Sequence, residues 1–239
     1  MKKQLCLTAD IGGTNTRVAL FDNEKLLESS CMTYSNNEYD SFETVIENYF
    51  DLVNESSVKF AGIAAAGPIQ EKSAKMTNLS WSLTERSIAS ITGAEQVGII
   101  NDLQAQGYGL TSLDKADLEP ITVGSQRANS NATRLVCGIG TGFNAAPVFN
   151  LGHKIFVPPS EAGHSQLSLT DKSYQSIFEK IGSVGSFVSV EDILSGRGLE
   201  NVGRALTGND ETAAQIMQKA SQGDENSKKI AHLLTTCAG

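Results

Sequence analysis

At 239 residues the chain is long enough for one large domain or two lobes, each with its own buried core. Hydrophobic residues make up 40% of it, so disorder is not the expected state. The net charge of −8, with no basic run, excludes nucleic acid and anionic membrane as expected partners, and a phosphate site has to be built locally from backbone amides and a metal ion.

Residues 4–9 (QLCLTA) predict a short buried strand, and Asp10-Ile11-Gly12-Gly13-Thr14-Asn15 a turn. Residues 16–22 (TRVALFD) resume a strand, with Val18 and Leu20 alternating against Arg17 and Ala19. Strand, glycine turn, strand is a hairpin, unlike the strand-to-helix turn of a dinucleotide fold. The spacing of Phe42, Val45, Ile46, Tyr49 and Phe50 predicts a helix over 41–52 capped by Ser41. Residues 59–66 read as a buried strand ending at Gly67-Pro68. Ser82-x-x-Glu85 reads as a capping box opening a helix that closes near Gly93. Val97 to Ile100 predicts a strand ending at Asn101-Asp102, with a helix following through Leu110.

The pattern then recurs. Residues 133–139 predict a strand, Gly140-Thr141-Gly142 a turn and residues 143–149 a return strand, after a polar loop at 124–132. Beyond Gly163 helices are expected at 171–181, 190–206, 210–222 and 224–237. Strands first and helices later, with a repeated hairpin, predict an α/β protein of two lobes, a small one over 1–110 and a larger one over 111–239. Cys6, Cys31, Cys137 and Cys237 lie far apart without a CxxC pair, which argues against zinc and disulfides and for free thiols in a reducing cytoplasm. The basic N-terminus breaks at Asp10, too early for a signal peptide, and no stretch reaches transmembrane length.

Consecutive glycines let backbone amides turn toward an anion. Gly12, Gly13 and Thr14 therefore offer a phosphate nest, with Asp10 able to hold a hydrated Mg²⁺ beside nucleotide phosphates. Gly140-Thr141-Gly142 offers the same chemistry, and two such turns can grip one polyphosphate. The plain alternative for each is an ordinary glycine hairpin. Asp102, at a strand's C-terminal end, can accept a hydroxyl proton as the oxygen attacks a γ-phosphoryl group; its plain alternative is a helix cap. Glu161-Ala162-Gly163-His164 follows Pro158-Pro159 on a rigid turn, where a carboxylate and an imidazole can hold neighbouring hydroxyls. Asn78 reads equally as a hydroxyl partner or a turn asparagine. Glu191, at an expected helix start, reads by itself as a dipole-stabilised glutamate.

Taken in order, LTADIGGTNTRVALFD, AGIAAAGPI, MTNLSW, IINDLQA, GIGTGFNAAPVF, PPSEAGH and VEDILSGRGL resemble the bacterial glucokinase family outside its zinc-containing repressor/kinase branch. The resemblance runs from Leu7 to about Ala205 and implies a two-lobed actin-like, ribonuclease-H-like ATPase fold that phosphorylates glucose from ATP with Mg²⁺. It implies Asp102 as the base that activates the sugar 6-hydroxyl. Asn78, Asn101, Asp102, Glu161, His164 and Glu191 are then sugar-binding residues. Asp10, Gly12, Gly13, Thr14, Asn15, Gly140, Thr141 and Gly142 become the phosphate-binding set. A homodimer is implied by analogy. Where the family's second loop often reads GTGLG, this chain has Asn144, a residue expected to keep the turn by adopting left-handed geometry. Members continue further, with a glycine-rich adenosine motif and a helix returning to the first lobe, so a fragment or a truncated product is expected. Two rivals stay open: a kinase for another hexose or an amino sugar, and a non-catalytic sugar-binding remnant.

Overall fold

Alternating apolar residues build the first strands and set which sheet face is buried. The computed structural model describes residues 4–67, 69–70, 73–76, 79–120, 132–168, 174–181 and 187–238. By contacts the chain divides into two units, Met1–Glu119 and Pro120–Gly239.

In the first unit β1 (Leu5–Ile11) turns back into β2 (Asn15–Asp22), and β3 (Lys25–Leu26) and β4 (Met32–Ser35) both pair with β2. Helix α1 (Phe42–Val53) leads to β5 (Phe60–Ala65), which lies parallel to β1. The small strands β6 (Ile69–Gln70), β7 (Ser73–Lys75) and β8 (Ser82–Thr84) form a separate antiparallel sheet. Helix α2 (Glu85–Thr92), strand β9 (Gln96–Asn101) and helix α3 (Asp102–Gly109) complete the unit, with β9 parallel to β5. The main sheet therefore runs β3-β2-β1-β5-β9, with β2 antiparallel to β1 and three parallel strands ending at one edge.

Odd-numbered residues of β1 (Leu5, Leu7, Ala9, Ile11) face a core with Val18, Leu20, Ile63 and Ile99 from the other strands. Phe42, Val45, Ile46 and Tyr49 of α1 and Ile88 of α2 fill it, all essentially without solvent exposure. The opposite face carries Thr8, Asp10, Arg17, Ala19, Gly62, Ala64, Gly98 and Ile100, which together with Ala105 and Tyr108 of α3 line a largely apolar groove of about 620 Å³.

Capping chemistry sets the helix starts. Ser41 accepts from Thr44 N–H at 3.3 Å to open α1, as expected, and Asn54 closes it in the left-handed conformation. The start of α2 differs from the expected capping box. Thr84 accepts from Ser87 N–H at 3.0 Å, while Ser82 lies in β8, paired with Lys75. Gly93 ends α2 at φ 64°, where a side chain would be strained.

The second unit pairs β10 (Arg134–Ile139) with β11 (Phe143–Asn150), and β11 with β12 (Ile155–Phe156), all antiparallel. Helices α4 (Gln175–Ile181), α5 (Gly196–Thr207), α6 (Ala213–Ser221) and α7 (Glu225–Ala238) follow. Phe178, Ile193, Leu199, Val202, Ile216, Ile230 and Leu233 form their common core. The helix expected from residue 190 begins only at Gly196. Ser189 donates from its N–H and hydroxyl to Asp192 at 2.9 and 2.8 Å, fixing a turn, and Ser195 then caps α5. The polar loop at 124–132 lies outside the described residues except for Ala132.

All four cysteines are free thiols. Cys31 and Cys137 are exposed, whereas burial pushes the Cys6 and Cys237 thiols up. A raised thiol holds less thiolate at a given pH, and the thiolate is the nucleophile. Iodoacetamide followed by peptide mass spectrometry is therefore expected to mark Cys31 and Cys137 well before Cys6 and Cys237. Equal labelling of all four would contradict this burial pattern. Among the described residues no helix is long and apolar enough to cross a membrane.

Candidate active site

In the first unit, register brings the candidate residues to one sheet edge. Ile11 pairs with Ala65 and Ala65 with Asn101, so the β1–β2 turn and the Asn101-Asp102 pair sit level at the C-terminal ends of parallel strands. Two strand spacings separate β1 from β9, about 10 Å. Such an edge is where α/β sheets place ligand chemistry.

Gly12 N–H donates to Asn15 O at 2.9 Å and closes the turn, leaving Gly13, Thr14 and Asn15 exposed. Asp10 ends the open sheet face, its carboxylate 3.3 Å from Arg17 Nη1 across the β1–β2 pair. Both side chains are more than half exposed, so this pair contributes little to stability. Among the described residues no three His, Cys, Asp or Glu side chains gather into a cage for a metal. A single exposed carboxylate fits Mg²⁺, which keeps several waters and shares its shell with substrate phosphates.

Asn101 and Asp102 divide the roles at the start of α3. Asn101 is 7% exposed and is itself the cap: its Oδ1 accepts from Gln104 N–H at 2.6 Å, and Gln104 Oε1 accepts from Asn101 N–H at 3.3 Å. Asp102 is the first helical residue, exposed, with Oδ1 accepting from Leu103 N–H at 2.8 Å. One carboxylate oxygen is thus fixed by the backbone, while the cap is filled by its neighbour. Asn78 lies outside the described residues.

The second unit gathers the other candidates. Gly140 N–H donates to Gly142 O at 2.9 Å, shaping the Gly140-Thr141-Gly142 turn, and Gly196 N–H at the start of α5 donates to Gly140 O at 2.7 Å. Glu191 is half-buried beneath this turn. Its Oε2 accepts from Phe143 N–H at 3.0 Å, and its Oε1 is ion-paired with Arg197. Arg197 Nε also reaches Thr141 O at 3.4 Å. Arg197 stands in the VEDILSGRGL stretch, but nothing in the sequence gives it a role; an arginine in the first turn of a helix reads as an ordinary surface residue.

Glu161 precedes a single 3₁₀ turn, Ala162–His164, that His164 ends, and both are exposed. That turn is tied to the hairpin by Asn144, whose Nδ2 donates to Ser160 O at 2.6 Å and whose Oδ1 accepts from Ala162 N–H at 3.0 Å. Asn144 lies in β11 and is not among the positive-φ residues, contrary to the left-handed geometry expected of it. Its side chain, not its backbone freedom, is what the structure uses. Glu191 N–H donates to Gly163 O at 2.9 Å, so Glu161, His164, Glu191 and the second glycine turn form one hydrogen-bonded cluster. The site residues thus fall into two groups, one in each unit.

A mixed sheet with parallel strand ends, a Gly-Thr turn in each unit and an aspartate at a strand–helix junction fit the class that the fold defines, the actin-like ATPase fold. The fold is shared with a Thermus thermophilus ROK hexokinase (TM-score 0.68, 17% identity, 98% of this chain and 74% of that one) and with a Balamuthia mandrillaris glucokinase crystallised with glucose (TM-score 0.72, 22% identity, 97% and 73%). A glucokinase from an Antarctic psychrotroph is more similar, with a TM-score of 0.82 and 27% identity over 97% of this chain and 75% of that one. The sequence profile of the glucokinase family matches residues 7–238, and the chain belongs to that family. Glucokinases of Psychromonas ingrahamii (31% identity, 90% of this chain and 66% of that protein) and Colwellia psychrerythraea (29%, 97% and 70%) are among its relatives. The chain spans about two thirds of the length of these curated relatives.

Proposed function

We propose that this protein is a cytoplasmic, ATP-dependent glucokinase that converts ATP and glucose to ADP and glucose 6-phosphate. The observation that carries this reading is the level placement of the first Gly-Thr turn and Asn101-Asp102 at one sheet edge, in a chain of the glucokinase family. Phosphate bound at the turn and a hydroxyl held at Asp102 then lie across a short span of one rigid sheet. Asp102 accepts the proton of the sugar 6-hydroxyl as its oxygen attacks the γ-phosphorus, and ADP leaves. Phosphoryl transfer of this kind needs positioning and charge stabilisation more than strong proton abstraction.

Gly12, Gly13, Thr14 and Asn15, with Gly140, Thr141 and Gly142, form the phosphate-binding turns; the Gly12 and Gly140 N–H groups close them, and amides and hydroxyls of the others meet the phosphates. Asp10 would hold Mg²⁺ through water, and the ion would supply charge neutralisation at the phosphates. Asn78, Asn101, Glu161, His164 and Glu191 bind sugar hydroxyls. Glu191 can do so while braced, because a carboxylate has about four acceptor positions and the structure assigns it two partners. A homodimer is part of this reading on the family analogy alone.

A coupled assay of ADP release over glucose, mannose, fructose and amino sugars tests the substrate. Glucose is expected to give the highest kcat/KM. A preference for an amino sugar would transfer the assignment to that substrate. Glucose binding without ADP release from any sugar would leave a sugar-binding remnant in its place.

A further inference from the structure

The first phosphate turn is held from beneath by a residue with no assigned part in the reaction. Asn36 follows β4 and is 2% exposed. Each of its polar groups is engaged. Its Nδ2 donates to Gly12 O at 2.9 Å, its backbone N–H donates to Thr14 O at 2.8 Å, and its carbonyl accepts from Tyr39 N–H at 3.4 Å. Its Oδ1 accepts from the hydroxyl of Thr16, which is 0% exposed, at 2.7 Å. Asn36 therefore clamps the turn on both sides of Gly13, through the carbonyls before and after it.

Peptide planarity converts that clamp into an aim. In a trans peptide the C=O and the following N–H point in opposite directions, and no described peptide bond is cis. The carbonyl of Gly12 is drawn inward to a buried amide, so the N–H of Gly13 points outward from the core, where Gly13 is exposed. An unconstrained glycine pair would sample many orientations of that N–H. Apolar side chains would pack the site under the turn without any buried hydrogen-bond network to satisfy. The amide at position 36 thus does something packing does not require.

We propose that Asn36 is a positioning residue that fixes the first phosphate turn and presents the Gly13 N–H to a nucleotide phosphate oxygen. The phosphate role rests on the glucokinase reading; the clamp itself does not. An amide already aimed at its ligand loses no orientational freedom on binding, and the benefit falls on the nucleotide rather than the sugar.

The test compares Asn36→Leu, which keeps size and loses both side-chain bonds, with Tyr49→Phe. The latter removes a different buried bond of the same core, from the Tyr49 hydroxyl to Ser30 O at 2.9 Å, away from the turn. Two measurements are made on each: hydrogen–deuterium exchange of the peptide spanning residues 11–16, and KM for ATP and for glucose. In N36L the exchange of that peptide is expected to rise more than that of the rest of the unit, with KM for ATP up about tenfold and KM for glucose nearly unchanged. Y49F is expected to lower the melting temperature and leave both readouts at wild-type values. If N36L does not fold, Asn36→Ala carries the same expectation, since it also removes both side-chain bonds, adds no charge and overfills nothing. Wild-type exchange at 11–16 in the folded Asn36 variant overturns the proposal. So does an equal rise in both KM values, or the same behaviour in Y49F. If wild-type protein shows no sugar-dependent ADP release, the glucokinase reading fails by itself, and exchange still decides whether Asn36 clamps the turn.

Discussion

Asp102→Asn is expected to lower kcat for glucose phosphorylation by about a hundred- to ten-thousandfold, the range for loss of a positioned proton acceptor. The substitution is nearly isosteric, and an amide oxygen can still accept from Leu103 N–H, the bond that fixes the aspartate at 2.8 Å. The helix cap is unaffected because Asn101 supplies it. Glucose affinity, measured by calorimetry or intrinsic fluorescence, is expected to stay within about threefold of wild type, as for a group whose contribution arises mainly in the transition state. Near-native turnover in this variant would reduce Asp102 to a first-turn helix residue. A matched loss of glucose affinity and turnover would make it a binding group instead.

The second large effect is expected at Gly163. A Cβ built there overlaps the carbonyl oxygen of Phe143, a backbone atom with no flexible end to move aside. Gly163 O also accepts from Glu191 N–H, so alanine has to push apart β11 and the turn bearing Glu161 and His164. Overpacking of this kind costs about 1–3 kcal/mol. A displacement near 1 Å among positioning groups can cost about a hundredfold in rate. Gly163→Ala is therefore expected to lower the urea midpoint and to reduce kcat/KM for glucose about a hundredfold. Gly109→Ala is the matched control: its Cβ meets nothing within 4 Å, and alanine at the end of α3 is expected to be neutral or slightly stabilising. A Gly163 variant indistinguishable from that control would show that β11 gives way without consequence.

The residues that made the fold legible in the sequence are those whose signals are local. Val18 and Leu20 alternate because β2 is buried on one side, and the helical spacing of Phe42 to Phe50 places α1 on that same core. Ser41 announces its helix because its partner is three residues away. Local signals also misled where two competed. Ser82 and Glu85 match a capping box, yet Thr84 and Ser87 form the real one, because Ser82 is committed to a strand by Lys75. Residues 190–195 have helical apolar spacing, but Ser189 and Asp192 bind each other and postpone the helix to Gly196. The supports of the site were not legible at all. Asn36 bonds to Gly12 across 24 residues, and Phe143 to Glu191 across 48. Neither pairing has a pattern that sequence spacing can carry, and their meaning appears only when strand register has brought the partners together.

The two glycine turns, alike in sequence, are secured by different physics. The first is held by neutral amide bonds sealed in a core, where dissolved ions do not penetrate. Part of the hold on the second is the Arg197–Glu191 ion pair, with the arginine side chain 61% exposed. Mobile counter-ions screen such a pair and leave buried dipoles untouched. Ionic strength therefore acts on the second turn and spares the first, so the salt content of the surroundings becomes a variable to which only one of the two glycine turns responds.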